Sequence, residues 1–425
     1  MTSEGGILGD LPSHFKNGAT RPRLRRWLAI VGPGLLASLA GDDAGGLATA
    51  SAIGAQSGYD LLWALLALTV CLAVVQEMAA RLGAATGRGL LDLVRERYGI
   101  GWALLAISVI LLANAGIMVT EFAGIGAAGE LLGTPRVFAI LLSAGLIWYL
   151  VLYGDYRAVE RVFLGMTVVF AAYPVAAVLA GPDWSAVAHG LFVPRLPRPG
   201  EWLLVVALIG TTITPYQQLF QQSAVVEKGV ARRHYLPERV DAYLGAVLGN
   251  LIWAFVMLAS AAALGSAGRL ETAADAARAL RPLVGDAAEV LFGIGLLGAS
   301  LLAAAVVPLA TAYAVSEAFG FPKGVNLQPR RAPIYFGLFT ALMVIGVVGA
   351  LVPGIPVIGL LIGTQVLNGL LLPVVLAFIV LLSAQRRLMA NLRPGRLSTS
   401  VAWLTLVLTV VVAAAFVVNA ANSPT

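Results

Sequence analysis

Charge is scarce in this chain. Asp, Glu, Lys and Arg make up only 12% of its residues, about half the share found in soluble domains, which argues against a soluble globular protein. Cysteine is nearly absent. The one present, Cys71, lies in an apolar stretch, so no intrachain disulfide can form, and it reads as a small packing residue. Histidine is limited to His14, His189 and His234. All three fall outside the apolar runs, so none can serve as a proton switch at the middle of a membrane. The N-terminus carries no short hydrophobic segment followed by a cleavage site, so no removable signal peptide is expected.

Apolar sequence is abundant instead. Of 425 residues 59% are hydrophobic and mean hydropathy is +0.87. Runs of 18 or more apolar residues recur along the chain, each long enough to cross a hydrocarbon core of about 30 Å. Backbone polar groups in lipid must be satisfied within the segment, so the expected fold class is an all-α membrane protein. Eleven transmembrane helices are expected, at 27–57, 61–82, 102–126, 137–154, 161–180, 202–224, 241–264, 288–316, 333–352, 356–383 and 400–419. With residues 1–26 as a cytoplasmic tail, 22 Lys and Arg residues fall on the cytoplasmic side and 6 on the other. That asymmetry follows the positive-inside rule. The net charge of +6 is therefore a topology signal, and nucleic acid is excluded as a partner.

The first and sixth spans are interrupted. A straight helix over 27–57 would be roughly 45 Å long, and "AGDDAGG" (Ala40 to Gly46) stands near its middle. Glycine permits the backbone conformations of a break. Asp42 and Asp43 each cost about 2.5–3.5 kcal/mol or more at the membrane centre unless they face a cavity or a counter-charge. Span six carries "IGTTITPYQQ" (Ile209 to Gln218) at its middle. Pro215 lacks a backbone donor and crowds the Thr211 carbonyl four residues before it. Two interrupted segments five helices apart match transporters built from inverted repeats, with the substrate at the breaks. The repeats are expected over 27–180 and 202–383, with 400–419 as an additional helix 11. A lone glycine-proline break is commonly a kink, but paired midplane carboxylates point to a cation or proton role. Acidic, hydroxyl and amide oxygens at the negative ends of half-helices favour a cation over an anion.

These residues resemble the Nramp family of divalent metal-ion transporters. "GPGLLASLAGDDAGGLAT" (Gly32 to Thr49) is similar to the family's first-helix stretch ending in Asp-Pro-Gly-Asn, with Asp43 at the aspartate, Ala44 at the proline, Gly45 at the glycine and Gly46 at the asparagine. "ARLGAATGRGLLDLVRERYG" (Ala80 to Gly99) is similar to the following helix end and loop. The family's Met-Pro-His-Asn is matched by Thr214-Pro215-Tyr216-Gln217, and a Ser-Gln-Val in its tenth helix by Thr364-Gln365-Val366. The resemblance extends from about Gly32 to Pro373. It implies the LeuT-type inverted repeat, spans 1–5 and 6–10, with broken helices 1 and 6.

The departures from the family pattern are informative. The methionine that favours soft metals is Thr214, the asparagine is Gly46, and Asp42 adds a carboxylate. The candidate metal ligands that these departures leave are Asp43, Asp42, the Thr211 carbonyl, Thr214, Gln217 and Gln365, all hard oxygens. Such a set suits Mg2+, Mn2+ or Ca2+, and the smaller residues are expected to leave room for part of the shell of water that Mg2+ keeps. This resembles the divergent Nramp-related magnesium transporters. Gly45, Gly46, Pro215, Tyr216 and Glu121 are expected at the helix breaks or along the pathway. Of the family's proton relay only Glu121 remains: Gly124 stands where the family has glutamate and Tyr216 where it has histidine. Weak or absent proton coupling is expected, with uptake driven by the gradient and by about 4.6 kcal/mol per 100 mV for a divalent ion. The alternatives are a proton-coupled Mn2+/Fe2+ symporter of ordinary Nramp type and a Na+-coupled organic-solute symporter.

No enzymatic activity, cofactor or obligatory protein partner is expected; the partners are divalent metal ions and the lipid bilayer. Glu77 is expected to pair locally with Arg81, and Asn114 to bond neighbouring helices. Asn368 stands one turn from Gln365. The Arg-over-Lys and Ala/Leu bias suggests a bacterial plasma membrane.

Overall fold

The computed structural model describes residues 33–153, 172–230, 232, 235–264, 270, 272–277, 285, 288–325 and 327–422. The cytoplasmic tail expected over 1–26 and most of the fifth span, 161–180, lie outside them. Among the described residues every element is helical. In chain order they are α1 (Pro33–Gly41), α2 (Ala44–Ser57), α3 (Leu62–Thr86), α4 (Leu90–Tyr98), α5 (Ile100–Leu131), α6 (Arg136–Tyr153), α7 (Ala172–Leu179), α8 (Trp184–Phe192), α9 (Trp202–Thr212), α10 (Pro215–Glu227), α11 (Tyr235–Leu264), α12 (Ala273–Ala277), α13 (Ala288–Phe319), α14 (Pro333–Ala350), α15 (Val357–Ser383), α16 (Arg386–Met389) and α17 (Arg396–Asn422). Single 3-10 turns sit at Pro199–Glu201 and Ala390–Leu392.

Nine spans among the described residues are long and apolar enough to cross a membrane. The first span is divided into α1 and α2, each too short to be counted alone. The broken helices lie at the centre of the bundle. α9 and α10 together are the most enclosed, with 94% of their apolar window buried, whereas Arg396–Val418 at the edge has 17%. α11 packs on α1, α2 and α3; α15 packs on α9, α2 and α5; α13 packs on α5 and α10. Helices that are apolar all round are suited to burial within a bundle and lipid.

Two surface helices were not anticipated from hydropathy. α4 is polar and amphipathic, with Asp92 in its first turn and Arg95 and Arg97 in its last, the order the helix dipole favours. α8 is capped by Asp183, whose side chain accepts from the Ser185 and Ala186 amides; those bonds, the Ser185 hydroxyl's contribution first, hold its pKa below the ordinary carboxylate value.

The breaks are shorter than the sequence suggested. Only Asp42 and Asp43 separate α1 from α2, and only Ile213 and Thr214 separate α9 from α10. Ala44, Gly45 and Gly46 form the first turn of α2. Their smallness is used for packing: a Cβ on Gly45 would overlap the Gln365 side chain, and one on Gly210 would overlap the Gln365 carbonyl. Pro215 is the first residue of α10, where a missing N–H costs nothing.

Candidate functional site

Breaking a helix inside lipid leaves amides and carbonyls that must find partners. At the first break side chains supply them. The Asp43 carboxylate caps α2, accepting from the Gly46 amide at 2.6 Å. Glu121 of α5 accepts from the Ala44 amide at 3.3 Å. The Tyr216 hydroxyl of α10 donates to the Ala40 carbonyl at 2.7 Å. The Asp42 amide donates to the Leu39 carbonyl at 3.2 Å. At the second break the amide that would meet the Thr211 carbonyl belongs to Pro215 and does not exist.

The sequence reading placed the acids at the negative ends of half-helices. Asp43 instead stands at the positive end of α2, so the dipole of that half-helix favours its carboxylate. The Gln365 amide of α15 adds two donor contacts, 3.0 Å from each Asp43 carboxylate oxygen. Gln365 is itself held by Asn368, whose amide donates to its Oε1 at 2.9 Å. A cation beside Asp43 would therefore meet Gln365 by its oxygen only after that amide turns over.

Asp42 takes another direction. It lines a gap with Ser38, Gly41, Thr211, Thr212, Gln217, Gly249, Asn250 and Trp253, while Asp43 does not border that gap. The two carboxylates thus occupy separate environments on the two sides of the break. Asp42 is 2% exposed, and its Oδ2 has no hydrogen-bond partner; the Thr211 and Thr212 hydroxyls are likewise buried and unpartnered. The Thr214 hydroxyl donates to Gln217 Oε1 at 3.3 Å, and Gln217 Nε2 donates to Gln76 at 3.3 Å. Asp42, Thr211 and Gln217 therefore border one gap, with Thr214 bonded to Gln217, while Asp43 is joined to Gln365 with Glu121 on the neighbouring Ala44 amide. No group of three or more His, Cys, Asp or Glu side chains comes together among the described residues; amide and hydroxyl oxygens complete the polar set.

Room for a hydration shell does not arise where it was expected. A Cβ on Gly46 would overlap both the Thr211 hydroxyl and the indole of Trp253, so Trp253 fills the volume that the missing asparagine side chain vacates. Sequence reasoning missed Trp253 because it lies on α11, more than 200 residues away. Gly124 is equally enclosed: a Cβ there would meet Ser300 Oγ and Ala44 Cβ.

Residues singled out elsewhere fall as follows. Glu77 pairs with Arg81 and also accepts from the Tyr235 hydroxyl, with Arg239 3.6 Å away. Asn114 of α5 donates to Thr311 of α13 at 2.6 Å, bonding two helices. Cys71 is buried and free.

Solved structures share this fold. A crystal structure of the Eremococcus coleocola manganese transporter in complex with an aromatic bis-isothiourea substituted compound superposes with a TM-score of 0.73 at 18% identity, over 93% of this chain and 87% of that one. MhsT in complex with L-phenylalanine superposes with a TM-score of 0.58 at 15% identity, over 91% and 98%. The fold, with its two broken helices, is thus of the LeuT type. The family described as Nramp, natural resistance-associated macrophage protein-like, matches residues 34–419. The chain belongs to that family. Among its relatives, the divalent metal cation transporter MntH of Deinococcus radiodurans is 33% identical over 405 residues, 91% of this chain and 89% of that one. The protein of the same name from Ralstonia nicotianae is 32% identical over 407 residues, 90% and 89%.

Proposed function

We propose that this transporter carries hard divalent cations, Mg2+ with Mn2+ accepted, into a bacterial cell across the plasma membrane, with its N-terminus cytoplasmic and weak or no proton coupling. The donor set carries this conclusion. The side chains gathered at the two breaks are Asp42, Asp43, Thr211, Thr214, Gln217, Gln365 and Glu121, and each presents oxygen with neither sulfur nor imidazole. Oxygen ligands suit Mg2+, Mn2+ and Ca2+ over softer metals. The names of the relatives, divalent metal cation transporter and manganese transporter, support a divalent cargo. Asp43 with Gln365 is the centre of the divalent position, approached by the Thr211 carbonyl, Thr214 and Gln217 from the second break. An ion still carrying water needs that space to widen, with Trp253 withdrawing from Gly46.

Weak proton coupling is supported by the packing around Gly124, where Ala44 and Ser300 leave no room for a second carboxylate. Coupling in the ordinary Nramp manner, with Mn2+ or Fe2+ as cargo, is favoured by one observation: Glu121 sits against the break beside Asp43. Proteoliposomes holding the purified protein separate the two readings. Mn2+ entry suppressed by excess Mg2+, without acidification of the lumen, is the expected result. Entry suppressed by Cd2+ or Fe2+ rather than Mg2+, accompanied by a proton flux, replaces it with the symporter. Asp43→Ala is expected to abolish uptake in a folded protein, and undiminished uptake would remove Asp43 from the site.

A further inference from the structure

The gap beside Asp42 is built for a cation yet stands apart from Asp43. Six residues with oxygen-bearing side chains line it: Asp42, Ser38, Thr211, Thr212, Gln217 and Asn250. Each of these residues is at most 3% exposed. Three of the groups, Asp42 Oδ2, Thr211 Oγ1 and Thr212 Oγ1, have no hydrogen-bond partner. Ser38 Oγ donates to Gln76 at 2.9 Å and keeps its own lone pairs free. Buried polar atoms are ordinarily satisfied, and three orphans facing one gap, one of them a carboxylate oxygen, mark a place where a positive ligand is missing.

The size and charge of the gap select the ligand. The gap is too narrow to admit a water molecule. An ion held there must shed its water. Mg2+ dehydrates reluctantly and keeps several waters, which disfavours it here; K+, with an ionic radius close to that of a water molecule, is too large. Asp42 is the only ionisable side chain on the lining and the other donors are neutral, so with its carboxylate charged one positive charge balances the set. A divalent ion would remain uncompensated in a low-dielectric setting.

We propose that Asp42, Ser38, Thr211, Thr212 and Gln217 form a second cation position, distinct from the divalent position at Asp43, that takes a dehydrated monovalent cation of the size of Na+. The inference rests on the protein being a cation transporter but not on which divalent ion it carries. Because Asp42 belongs to the first break and Thr211, Thr212 and Gln217 to the second, filling this position draws the second break against the first, next to Asp43.

Trp253 borders the gap and reports on it. Purified protein is titrated with NaCl against choline chloride at constant ionic strength, following tryptophan fluorescence and thermal stability, with Trp253→Phe as the optical control. A saturable change specific to Na+ over K+ and choline is expected. Thr212→Val keeps the shape of the side chain and removes its hydroxyl; it is expected to weaken the Na+ response about tenfold, or 1.4 kcal/mol, while Mn2+ binding measured by calorimetry keeps its stoichiometry. Ser38→Ala gives the same result by an independent route if Thr212→Val fails to fold. Absence of any Na+-specific response, or a response unchanged in both variants, overturns the proposal. So does a calorimetric count of two Mn2+ per chain that falls to one in Thr212→Val, since the gap would then hold the divalent ion. A Na+ response that persists in protein unable to bind Mn2+ or Mg2+ upholds this position and counts against the divalent function instead.

Discussion

The Tyr216 hydroxyl donates to the Ala40 carbonyl at 2.7 Å, tying the start of α10 to the end of α1 across the two breaks. Ala40 would bond the amide of residue 44 in an unbroken helix, but the Ala44 amide turns to Glu121 instead. Tyr216 therefore closes a backbone vacancy created by the break, and its ring is wholly buried. Tyr216→Phe keeps the ring and strips the donor, leaving a buried carbonyl unpaired at a cost of about 1–3 kcal/mol. A lower melting temperature and slower uptake are expected, both measurable on detergent-solubilised and reconstituted protein. An unchanged melting temperature would mean that water reaches Ala40 and that the two breaks are not joined.

Gly46 and Trp253 exclude any larger pair. Since a Cβ on Gly46 would overlap the indole and the Thr211 hydroxyl, restoring the family's asparagine by Gly46→Asn is expected to destabilise the protein by about 1–3 kcal/mol, the range for overpacking. Trp253→Ala alone opens a cavity and also destabilises. Combined, the two changes should be milder than their sum, with a coupling of about 0.5–3 kcal/mol. A double-mutant cycle in thermal unfolding measures it, and strict additivity would show that Trp253 can move aside without cost.

Much of this was legible in the sequence, and the reason is local. Two aspartates in an apolar run, and a proline among threonines in another, disturb a helix wherever they fall; both breaks were placed to within a few residues. What the pattern did not reveal was their extent. Gly45 and Gly46 looked like part of the unwound stretch, yet they are helical, because their smallness serves Gln365 and Trp253 rather than backbone freedom. Those partners lie on α15 and α11, and no local signal pairs them with the first span. Likewise, adjacent carboxylates suggested a single site, but consecutive residues at a break point apart, Asp43 toward α2 and α15 and Asp42 toward α11. The surface helices α4 and α8 were hidden for a different reason: short polar helices leave no hydropathy signal.

Glu201 anchors a strap at the opposite end of the bundle from α4. Burial alone would raise its pKa, but the Arg198 amide and the Arg195 guanidinium outweigh it and hold the carboxyl below its ordinary value. Arg195 also pairs with Asp60 at 2.9 Å, linking the turn after α2 to the start of α9. A depressed folded pKa contributes stability that is present above the unfolded value, about 4.3, and is lost as pH falls through the folded one. The melting temperature is thus expected to hold steady from this group between neutral pH and about pH 5 and then to drop in more acid solution. Glu201→Gln should melt lower at neutral pH and show a shallower acid limb. Parallel acid limbs in the two proteins would remove Glu201 from the account.

Thr214 stands where the resemblance places a methionine, and its hydroxyl, wholly buried, donates to Gln217 Oε1 at 3.3 Å. Thr214→Met exchanges a hard oxygen for a polarisable thioether at the mouth of α10 and frees Gln217 Oε1 from its donor. Softer ligands select softer ions, so the ratio of Cd2+ to Mg2+ needed to halve Mn2+ uptake is expected to fall about tenfold, or 1.4 kcal/mol. The longer side chain also crowds a filled interior, so the maximal rate should fall as well. Selectivity and rate separate the two effects: crowding slows every ion alike, whereas a change of donor reorders them. A uniformly slower carrier with its ion preference intact would mean that Thr214 never touches the cargo, and the oxygen-only account of selectivity would lose one of its ligands.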